Sequence, residues 1–241
     1  MRDHRHLQPP RRAGLALAAG AAFVTRTVTV YAIQPGRGYA QATAILGPDY
    51  AGVLVRDGWA PYRKLRDATY QPCLAHRLRR CHLLLETAER GAARLPHAVR
   101  RLLLRALTLR DRRDAGTLTG HGLRVARGRL AAQTDRVLAG RIVYPPNRRL
   151  GQHHRTERGA LFTCLTRPDV EATNWQAEQV IRPAVVTRKV CGGNRTPYGA
   201  ATQQVLASVL RTASQQQRDP LALLVALQRS PHPVVADVTL P

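Results

Sequence analysis

Two acidic residues stand apart because each lies beside elements that could hold it in place. Asp57 lies two residues after a short apolar run, residues 53–55, and Glu178 lies among basic and glycine-rich neighbours in residues 173–196. Carboxylate oxygens are the ligands that Mg²⁺ prefers, and two such ions about 4 Å apart can activate the attacking oxygen and stabilise the leaving oxygen in phosphoryl transfer. The two residues therefore predict a divalent-metal site that works near phosphates.

The segment around Glu178 has a simple local interpretation. Asn174 can cap a short helix in which Glu178 and Arg182 share one face at a spacing of four residues, and Pro183 is predicted to end that helix. The alternative is an ordinary surface helix, whose exposed ion pair would contribute little to stability. Glu178 thus needs a partner elsewhere in the chain before a site can be inferred.

The elements before Asp57 predict an α/β fold. Residues 24–33 are rich in β-branched side chains and favour a strand, Tyr39–Leu46 has helical spacing of apolar residues, and residues 51–55 favour a short buried strand. Asp57 stands just past the end of the last of these. A strand, a helix and a second strand that ends in an acid indicate an α/β sheet whose active edge lies at strand ends.

The rest of the chain is predicted to be helical, with one loop. Residues 144–149 favour the loop because they contain two adjacent prolines and an asparagine. The predicted helices cover residues 73–85, 90–109, 118–143, 156–166, 198–215 and 220–228.

Composition points to a polyanionic partner. The 241 residues carry 38 Lys and Arg against 15 Asp and Glu, a formal charge of +23, which is typical of proteins that neutralise nucleic-acid phosphates. Lys64 and Lys189 are the only lysines, and a GC-rich coding sequence would also produce an arginine bias. Arginine forks nevertheless grip phosphate oxygens bidentately, so both explanations agree with DNA as the partner.

The cysteines and the N-terminal residues indicate the cellular compartment in which the protein is expected. Cys73, Cys81, Cys164 and Cys191 are dispersed in a chain that needs no disulfide staples, which favours a reducing cytoplasm and association with the nucleoid. Residues 1–24 are basic and then apolar, and residues 19–21 resemble a signal-peptide cleavage site, so export is the alternative. The apolar run is alanine-rich, continues into a strand-like segment and is too short to span a bilayer, so we expect no membrane helix.

Several segments, in order along the chain, resemble the insertion-sequence 66 transposase family of bacterial mobile elements. They are Phe23-Val24-Thr25, VLVRDGWAPYR at 53–63, CLAH at 73–76, AEQVIRPAVVTRKVCGGNRT at 177–196 and LASVLRT at 206–212. The resemblance implies a ribonuclease-H-like core with a helical insertion and C-terminal helices. It also implies three acidic ligands of the DDE type, two Mg²⁺ ions, and cleavage and strand transfer of DNA. It maps the second Asp onto Asp57 and the Glu onto Glu178.

The first Asp of that family pattern has no counterpart in the residues before Phe23. Asp3 is the only acid there, and its neighbours do not resemble the family's strand. We therefore expect residues 1–22 to be a non-homologous, disordered substitute left by a frameshift or a misassigned start, so that the core lacks its first strand. The expected domains are a catalytic domain at residues 23–215, with an insertion at about 90–165, and a helix and tail at residues 216–241.

Other residues have both a functional and a structural interpretation. The family motif places His76 near the site or DNA, and the basic residues near Glu178 are expected to contact DNA: Arg182, Arg188, Lys189 and Arg195. Cys73, His76, Cys81 and His82 could alternatively form a zinc site, although on one helix they point in different directions. Trp59 and Tyr62 could stack on a base or pack in the core, and the Gly192-Gly193-Asn194 run could hold a phosphate or form a simple turn.

The resemblance leads to one expected function and two rivals. The expected function is that of a transposase catalytic-domain fragment, impaired by loss of the first Asp, that acts on element ends and target DNA as a homo-oligomer or with accessory transposition proteins. The first rival is a non-catalytic DNA-binding protein derived from a transposase. The second is an unfolded product, because a sheet without its first strand leaves the neighbouring strand unpaired.

Overall fold

A computed structural model describes residues 19–230 as an α/β chain that divides into two compact units. We call residues 48–174 the central unit, and residues 19–47 together with 175–230 the terminal unit. Among the described residues, no helix combines the length and the apolar character needed to cross a membrane. The presence of both strands and helices confirms the coarse α/β prediction.

The terminal unit begins with a β-hairpin where one strand was predicted. Strand β1 (Ala19–Val24) pairs antiparallel with β2 (Thr29–Gln34), with Val24 opposite Thr29. The Thr25 hydroxyl accepts hydrogen bonds from the backbone N–H groups of Thr27 (3.3 Å) and Val28 (3.0 Å). A threonine that bonds its own neighbours in this way stabilises a turn, so the prediction of one continuous strand at residues 24–33 was wrong.

Four helices complete the described part of the terminal unit. Their bounds are α1 Tyr39–Leu46, α7 Trp175–Cys191, α8 Pro197–Gln215 and α9 Pro220–Arg229.

Helix α7 continues through Pro183, so the prediction that this proline ends the helix was wrong. A proline inside a helix removes one backbone hydrogen bond and crowds the preceding turn. Packing around it supplies the compensation, because Val180 and Ala184, one turn apart, are buried against Tyr31 of β2. The Tyr31 hydroxyl also donates to the Val180 carbonyl oxygen at 2.6 Å. Tertiary contacts therefore hold the helix on both sides of the proline.

Helix α8 covers the edge of β2 that faces away from β1. The backbone N–H groups of Thr29, Tyr31 and Ile33 donate to side chains of α8 at 3.1, 2.9 and 2.9 Å. The acceptors, in the same order, are the side-chain oxygens of Thr212, Ser208 and Gln204.

This match follows from the two backbone geometries. Two residues of a strand advance by about 6.7 Å, and four residues of a helix advance by about 6 Å. Alternate amides of β2 therefore meet successive turns of α8. We call this set of three hydrogen bonds the α8–β2 ladder. It gives partners to the N–H groups on this edge of β2. The prediction of an unfolded product stays a prediction.

The central unit contains a parallel strand pair. Strands β3 (Val53–Arg56) and β4 (Thr69–Pro72) pair in register from Val53 with Thr69 to Arg56 with Pro72. A 3₁₀ turn, Ala60–Lys64, lies between them. Strand β4 was not predicted, because four residues that end in proline carry little local strand signal.

Helices make up most of the central unit. Their bounds are α2 Leu74–Glu86, α3 Arg94–Asp114, α4 Gly120–Ala139, α5 Pro145–Thr156 and α6 Thr163–Thr166. The core is dominated by leucine, with Leu74, Leu103, Leu130, Leu150, Leu161 and Leu165 at most 1% exposed.

Two local predictions in the central unit were wrong. The predicted loop at 144–149 instead begins α5, whose first two residues are Pro145 and Pro146. Proline is compatible with the first helical turn, where its missing N–H would have no partner in any case. The predicted helix at 156–166 is reduced to the four-residue α6, preceded by turns.

The described strands form two separate two-stranded sheets. A complete ribonuclease-H-like core stays a prediction. The expected boundary after residue 22 falls inside β1, and residues 19–21, which resemble a cleavage site, also belong to that strand. The rest of the predicted N-terminal segment, Asp3 included, lies outside the described residues. The division at 48 and 174 groups the β3–β4 pair with the helices of the predicted insertion.

Candidate active-site residues

Asp57 lies where the sequence places it, directly after the carboxyl end of β3. Its side chain is exposed, and its Oδ1 atom accepts a hydrogen bond from the backbone N–H of Trp59 at 2.8 Å. Between them, Gly58 has a φ angle of 99°, a left-handed conformation that favours glycine. The turn therefore fixes the orientation of the carboxylate while leaving it open to solvent.

Glu178 lies in the first turn of α7 and is also exposed. It belongs to the terminal unit, whereas Asp57 belongs to the central unit. The helix N-terminus is a favourable place for a carboxylate, because the peptide dipoles leave partial positive charge there. The structure thus defines the immediate surroundings of each acid separately.

The predicted DNA-contacting residues of the terminal unit lie on α7 and in the connection that follows it. Arg182 and Lys189 are exposed on the helix, Arg188 is half-buried, and Arg195 is exposed before α8. Gly192 and Gly193 have φ angles of 73° and 83°, so two consecutive left-handed glycines end α7. The glycine pair is therefore a helix-terminating turn.

The donor chemistry of the two acids suits a hard divalent cation, since both offer exposed carboxylate oxygens. Within residues 19–230, however, no group of three or more His, Cys, Asp or Glu side chains is arranged to hold a metal ion. This applies also to the possible zinc site at Cys73, His76, Cys81 and His82.

Cys73 and His76 have a structural role in the central unit. Cys73 Sγ accepts the backbone N–H of Asn174 at 3.5 Å, and the Cys73 backbone N–H donates to the Arg56 carbonyl oxygen at 2.7 Å. Burial raises the pKa of the thiol, but hydrogen bonds from His76 and Asn174 outweigh it and leave the Cys73 pKa below its ordinary value. The motif thereby ties the start of α2 to the residue before Asp57 and to the residue before α7.

A buried ionic cluster lies behind Asp57 and was not predicted. Arg56, the last residue of β3, donates through Nη2 to Glu157 Oε2 at 2.6 Å, and the two side chains are 3% and 4% exposed. Arg63 donates to Glu157 Oε1 at 3.1 Å, and the Arg56 guanidinium stacks on the Tyr70 ring at 4.5 Å. Arg77, 4% exposed, interacts electrostatically with Arg56, Arg63 and Glu157. We call Arg56, Arg63, Arg77 and Glu157 the arginine cluster.

Positive charge exceeds negative charge in the arginine cluster, where three guanidinium groups surround one carboxylate. Burial opposes ionisation of Glu157, but the hydrogen bond from Arg56 and the nearby arginines hold its pKa below the ordinary value. Burial lowers the pKa of Arg77 to about 10, and Glu157 only partly offsets this. Four buried nitrogen atoms of the cluster, Nε and Nη1 of Arg56 and both Nη atoms of Arg77, have no hydrogen-bond partner among the described residues.

Two adjacent histidines of α5 lie close to the cluster. Burial, reinforced by Arg77 and Arg80, lowers the pKa of His153 to about 4. Burial, again reinforced by Arg77, lowers that of His154 to about 3. The His154 Nδ1 atom is 2.9 Å from the Leu150 carbonyl oxygen, which can only accept, so Nδ1 carries the proton. Both imidazoles are therefore neutral at pH 7.

Glu157 could have been noticed from the sequence. It is the only acid between Asp135 and Asp169, and five arginines lie in residues 141–158. The same signal, a lone acid among basic residues, had drawn attention to Glu178. Only the fold shows that Glu157 meets Arg56, because 101 residues separate the two.

Comparison with known proteins finds a match to one protein family. The family model described as Transposase IS66 family matches residues 16–202, a range that includes Asp57, Glu178 and the arginine cluster. No curated protein and no solved structure matches the chain.

Proposed function

This chain belongs to the insertion-sequence 66 transposase family, and from that membership we propose that it acts in DNA transposition, with Asp57 and Glu178 contributing carboxylates to the chemical step. The observation that carries the proposal is the family match across 16–202, which spans both acids. The partner is DNA, namely the ends of the element and its target. A surplus of basic residues suits that partner.

The surroundings of Asp57 support its assignment. The hydrogen bond from the Trp59 N–H holds the carboxylate at the end of β3, and the side chain is exposed where a substrate can approach. Behind it, Arg56 is anchored to Glu157, so the residue before Asp57 has little freedom to move. A catalytic group needs such support, because misplacement by about 1 Å can cost a hundredfold in rate.

Asp57 and Glu178 are the residues that would hold a divalent cation, which we take to be Mg²⁺. When bound, such an ion supplies Lewis-acid activation of the attacking oxygen and stabilisation of the leaving oxygen. The chain contributes negative charge at Asp57 and Glu178, while arginines such as Arg182 and Arg195 offer donors to the phosphates that flank the reacting bond.

We further propose that the 241-residue chain is a weak catalyst by itself, because it matches two of the family's three acids. A missing carboxylate lowers metal occupancy and removes several kcal/mol of transition-state charge stabilisation. Joining of element-end DNA should therefore be faster in a version that carries an Asp-Glu-Thr-type strand before residue 23. Equal joining by the two versions, abolished in both by Asp57→Ala, would show that the 241-residue chain is not impaired.

Metal binding tests the two acids without requiring turnover. Mn²⁺ replaces Mg²⁺, and the free ion is followed by electron paramagnetic resonance as protein is added. We expect Asp57→Asn and Glu178→Gln each to weaken binding at least about tenfold, since even residues that merely support metal ligands have effects of that size.

Matched controls are available nearby in sequence. Asp67 and Glu171 are exposed acids, so Asp67→Asn and Glu171→Gln make the same chemical changes at positions that the proposal does not use. These controls should bind Mn²⁺ like the unchanged chain. Equal weakening in all four variants, or in none, would contradict the assignment of Asp57 and Glu178.

A further inference from the structure

A basic recess of the central unit is an open groove between α5, α2 and the 3₁₀ turn. Its volume is about 810 Å³. The lining residues are Arg63, Arg80, Ile142, Pro145, Arg148, Arg149, Gln152, His153, Arg155 and Thr156. We call it the α5 groove. It contains five arginines and no acid, so its ligand must be anionic.

The arginines of the groove differ in how firmly they are held. Arg63 donates to Glu157, and Arg155 donates through Nε to the Leu138 carbonyl oxygen at 3.1 Å. Arg80, Arg148 and Arg149 are exposed and form no ion pair with any residue in the described part of the chain. Two anchored guanidinium groups and three exposed ones without an ion pair among the described residues thus face the same opening.

The arginine cluster adds positive charge behind this opening. Arg63 belongs to both, since it lines the groove and binds Glu157. Arg56 and Arg77 are buried with one carboxylate between them, and removing such charges from water costs several kcal/mol per ion unless it is compensated. His153 is neutral and supplies no charge, and its Nε2 atom has no hydrogen-bond partner among residues 19–230. An anion in the groove would supply the missing negative charge.

The length of the groove suits a polymer of phosphates. From Arg148 to Arg155 a helix advances by roughly 10.5 Å, at about 1.5 Å per residue. One strand of DNA places a phosphate every 3.4 Å or so along the duplex axis, so this face spans about three nucleotide steps. A single small anion would use only part of the arginine set.

We propose that the α5 groove, whose lining does not include the acids assigned to the chemical step, binds the phosphodiester backbone of duplex DNA. This inference rests on the proposed function for the choice of DNA over other polyanions. The groove positions DNA without reading its sequence, because guanidinium contacts to phosphate carry no base information.

The test measures DNA binding rather than catalysis. Full-length protein is titrated into a fluorescent 30-base-pair duplex at several salt concentrations, and anisotropy gives Kd. We expect the double change Arg148→Glu and Arg149→Glu to weaken binding at least tenfold. The slope of log Kd against log salt should also fall by about two, one for each lost phosphate contact.

A charge-matched control separates the groove from net charge. Arg127 and Arg129 are exposed on α4 and do not line the groove, so Arg127→Glu with Arg129→Glu changes the total charge by the same amount. This control should lose less than threefold in affinity. Equal losses of DNA affinity in the two double variants would contradict the α5 groove as the binding site and would show that overall charge determines the binding.

Two further measurements fix the ligand and keep this inference distinct from the proposed function. Phosphate ion added at constant ionic strength should compete no better than chloride, and duplex RNA should bind no more tightly than duplex DNA. Stronger competition by phosphate would reassign the groove to a free anion, and tighter RNA binding would overturn the choice of DNA. The DNA titration contains no divalent metal and measures no turnover, so failure of the metal-binding prediction would leave this one standing.

Discussion

The terminal and central units each contain a two-stranded sheet, and they stabilise it with different chemistry. In the terminal unit, neutral hydroxyl and amide oxygens of α8 accept the free N–H groups of β2. In the central unit, a buried ion pair anchors the end of β3 to α5. Neutral hydrogen bonds do not titrate, whereas the carboxylate of an ion pair is protonated in sufficiently acidic solution. The two sheets should therefore respond differently to charge and acid.

The distribution of histidine strengthens this contrast. Six histidines lie among the described residues, and all of them belong to the central unit: His76, His82, His97, His121, His153 and His154. Each unit also contains one of the two tryptophans, Trp59 in the central and Trp175 in the terminal unit. In a Trp175→Phe background, the fluorescence of Trp59 therefore reports unfolding of the central unit. In a Trp59→Phe background, the fluorescence of Trp175 reports unfolding of the terminal unit.

The largest expected effect comes from removing the only carboxylate of the arginine cluster. Glu157→Ala leaves Arg56 and Arg77 buried without a counter-charge, which should cost about 3–5 kcal/mol of unfolding free energy. Urea unfolding followed by Trp59 fluorescence measures it.

The double change Arg56→Met with Glu157→Leu provides the control, because it removes both partners of the closest ion pair and should recover part of the loss, while Arg77 keeps its buried charge. Glu171→Ala, at an exposed acid of the same unit, should have little effect. A loss of under 1 kcal/mol for Glu157→Ala would mean that the ion pair does not support β3.

The next effect is acid sensitivity confined to the central unit. His154 has a pKa near 3 when folded and near 6.5 when unfolded, so the unfolded chain takes up its proton first as pH falls. The contribution of neutral His154 to the free energy of unfolding is therefore fully present above the unfolded pKa of 6.5 and is lost as the pH falls toward the folded pKa of about 3. At pH 5 the loss from His154 should be about 2 kcal/mol. Urea unfolding at both pH values, followed by Trp59, gives this number.

Two comparisons sharpen the pH prediction. His154→Leu should remove this contribution and leave a similar one from His153, whose pKa is about 4 when folded, whereas His121→Gln, at an exposed histidine, should remove neither. Trp175 should report little change in the terminal unit between pH 7 and pH 5. Coincident acid transitions at the two tryptophans would break the contrast between the units.

The smallest effect concerns one rung of the α8–β2 ladder. Ser208 and Ser214 both donate to the carbonyl four residues earlier, at 2.6 and 2.9 Å, but only Ser208 also accepts the Tyr31 N–H. Ser208→Ala should cost about 1–2 kcal/mol, because it leaves a strand amide unpaired. Ser214→Ala should stay within about 0.5 kcal/mol, as is usual for surface changes. Urea unfolding followed by Trp175 compares them, and equal costs would show that α8 does not satisfy the strand edge.

Much of the fold followed from local signals. Residues 39–46 form the predicted helix α1, and the helices α2, α8 and α9 differ from their predicted ranges by no more than one residue at either end. Asp57 follows a strand and Glu178 lies on a helix, as their neighbours indicated. These features depend on residues within one or two turns of each other, where periodicity and turn chemistry are informative.

Two of the errors occurred where distant contacts outweighed a local rule. Pro183 lies within α7 because Val180 and Ala184 pack against Tyr31, and strand β4 forms because β3 is available beside it. Neither partner is adjacent in the sequence. Propensity is a weak prior in such cases, since burial and pairing contribute more free energy than a single residue's preference.

The family, the basic character, the two candidate acids and most helices could be recognised in the amino-acid sequence, because each depends on residue types at short spacing. The tertiary structure alone decided that Glu157 compensates Arg56, that α8 supplies the acceptors for β2, and that five arginines surround one groove. Those pairings join residues about 100 and 180 positions apart. The physical reason is that buried charges need ionic partners and strand amides need hydrogen-bond acceptors. Only the folded chain shows which residues provide them.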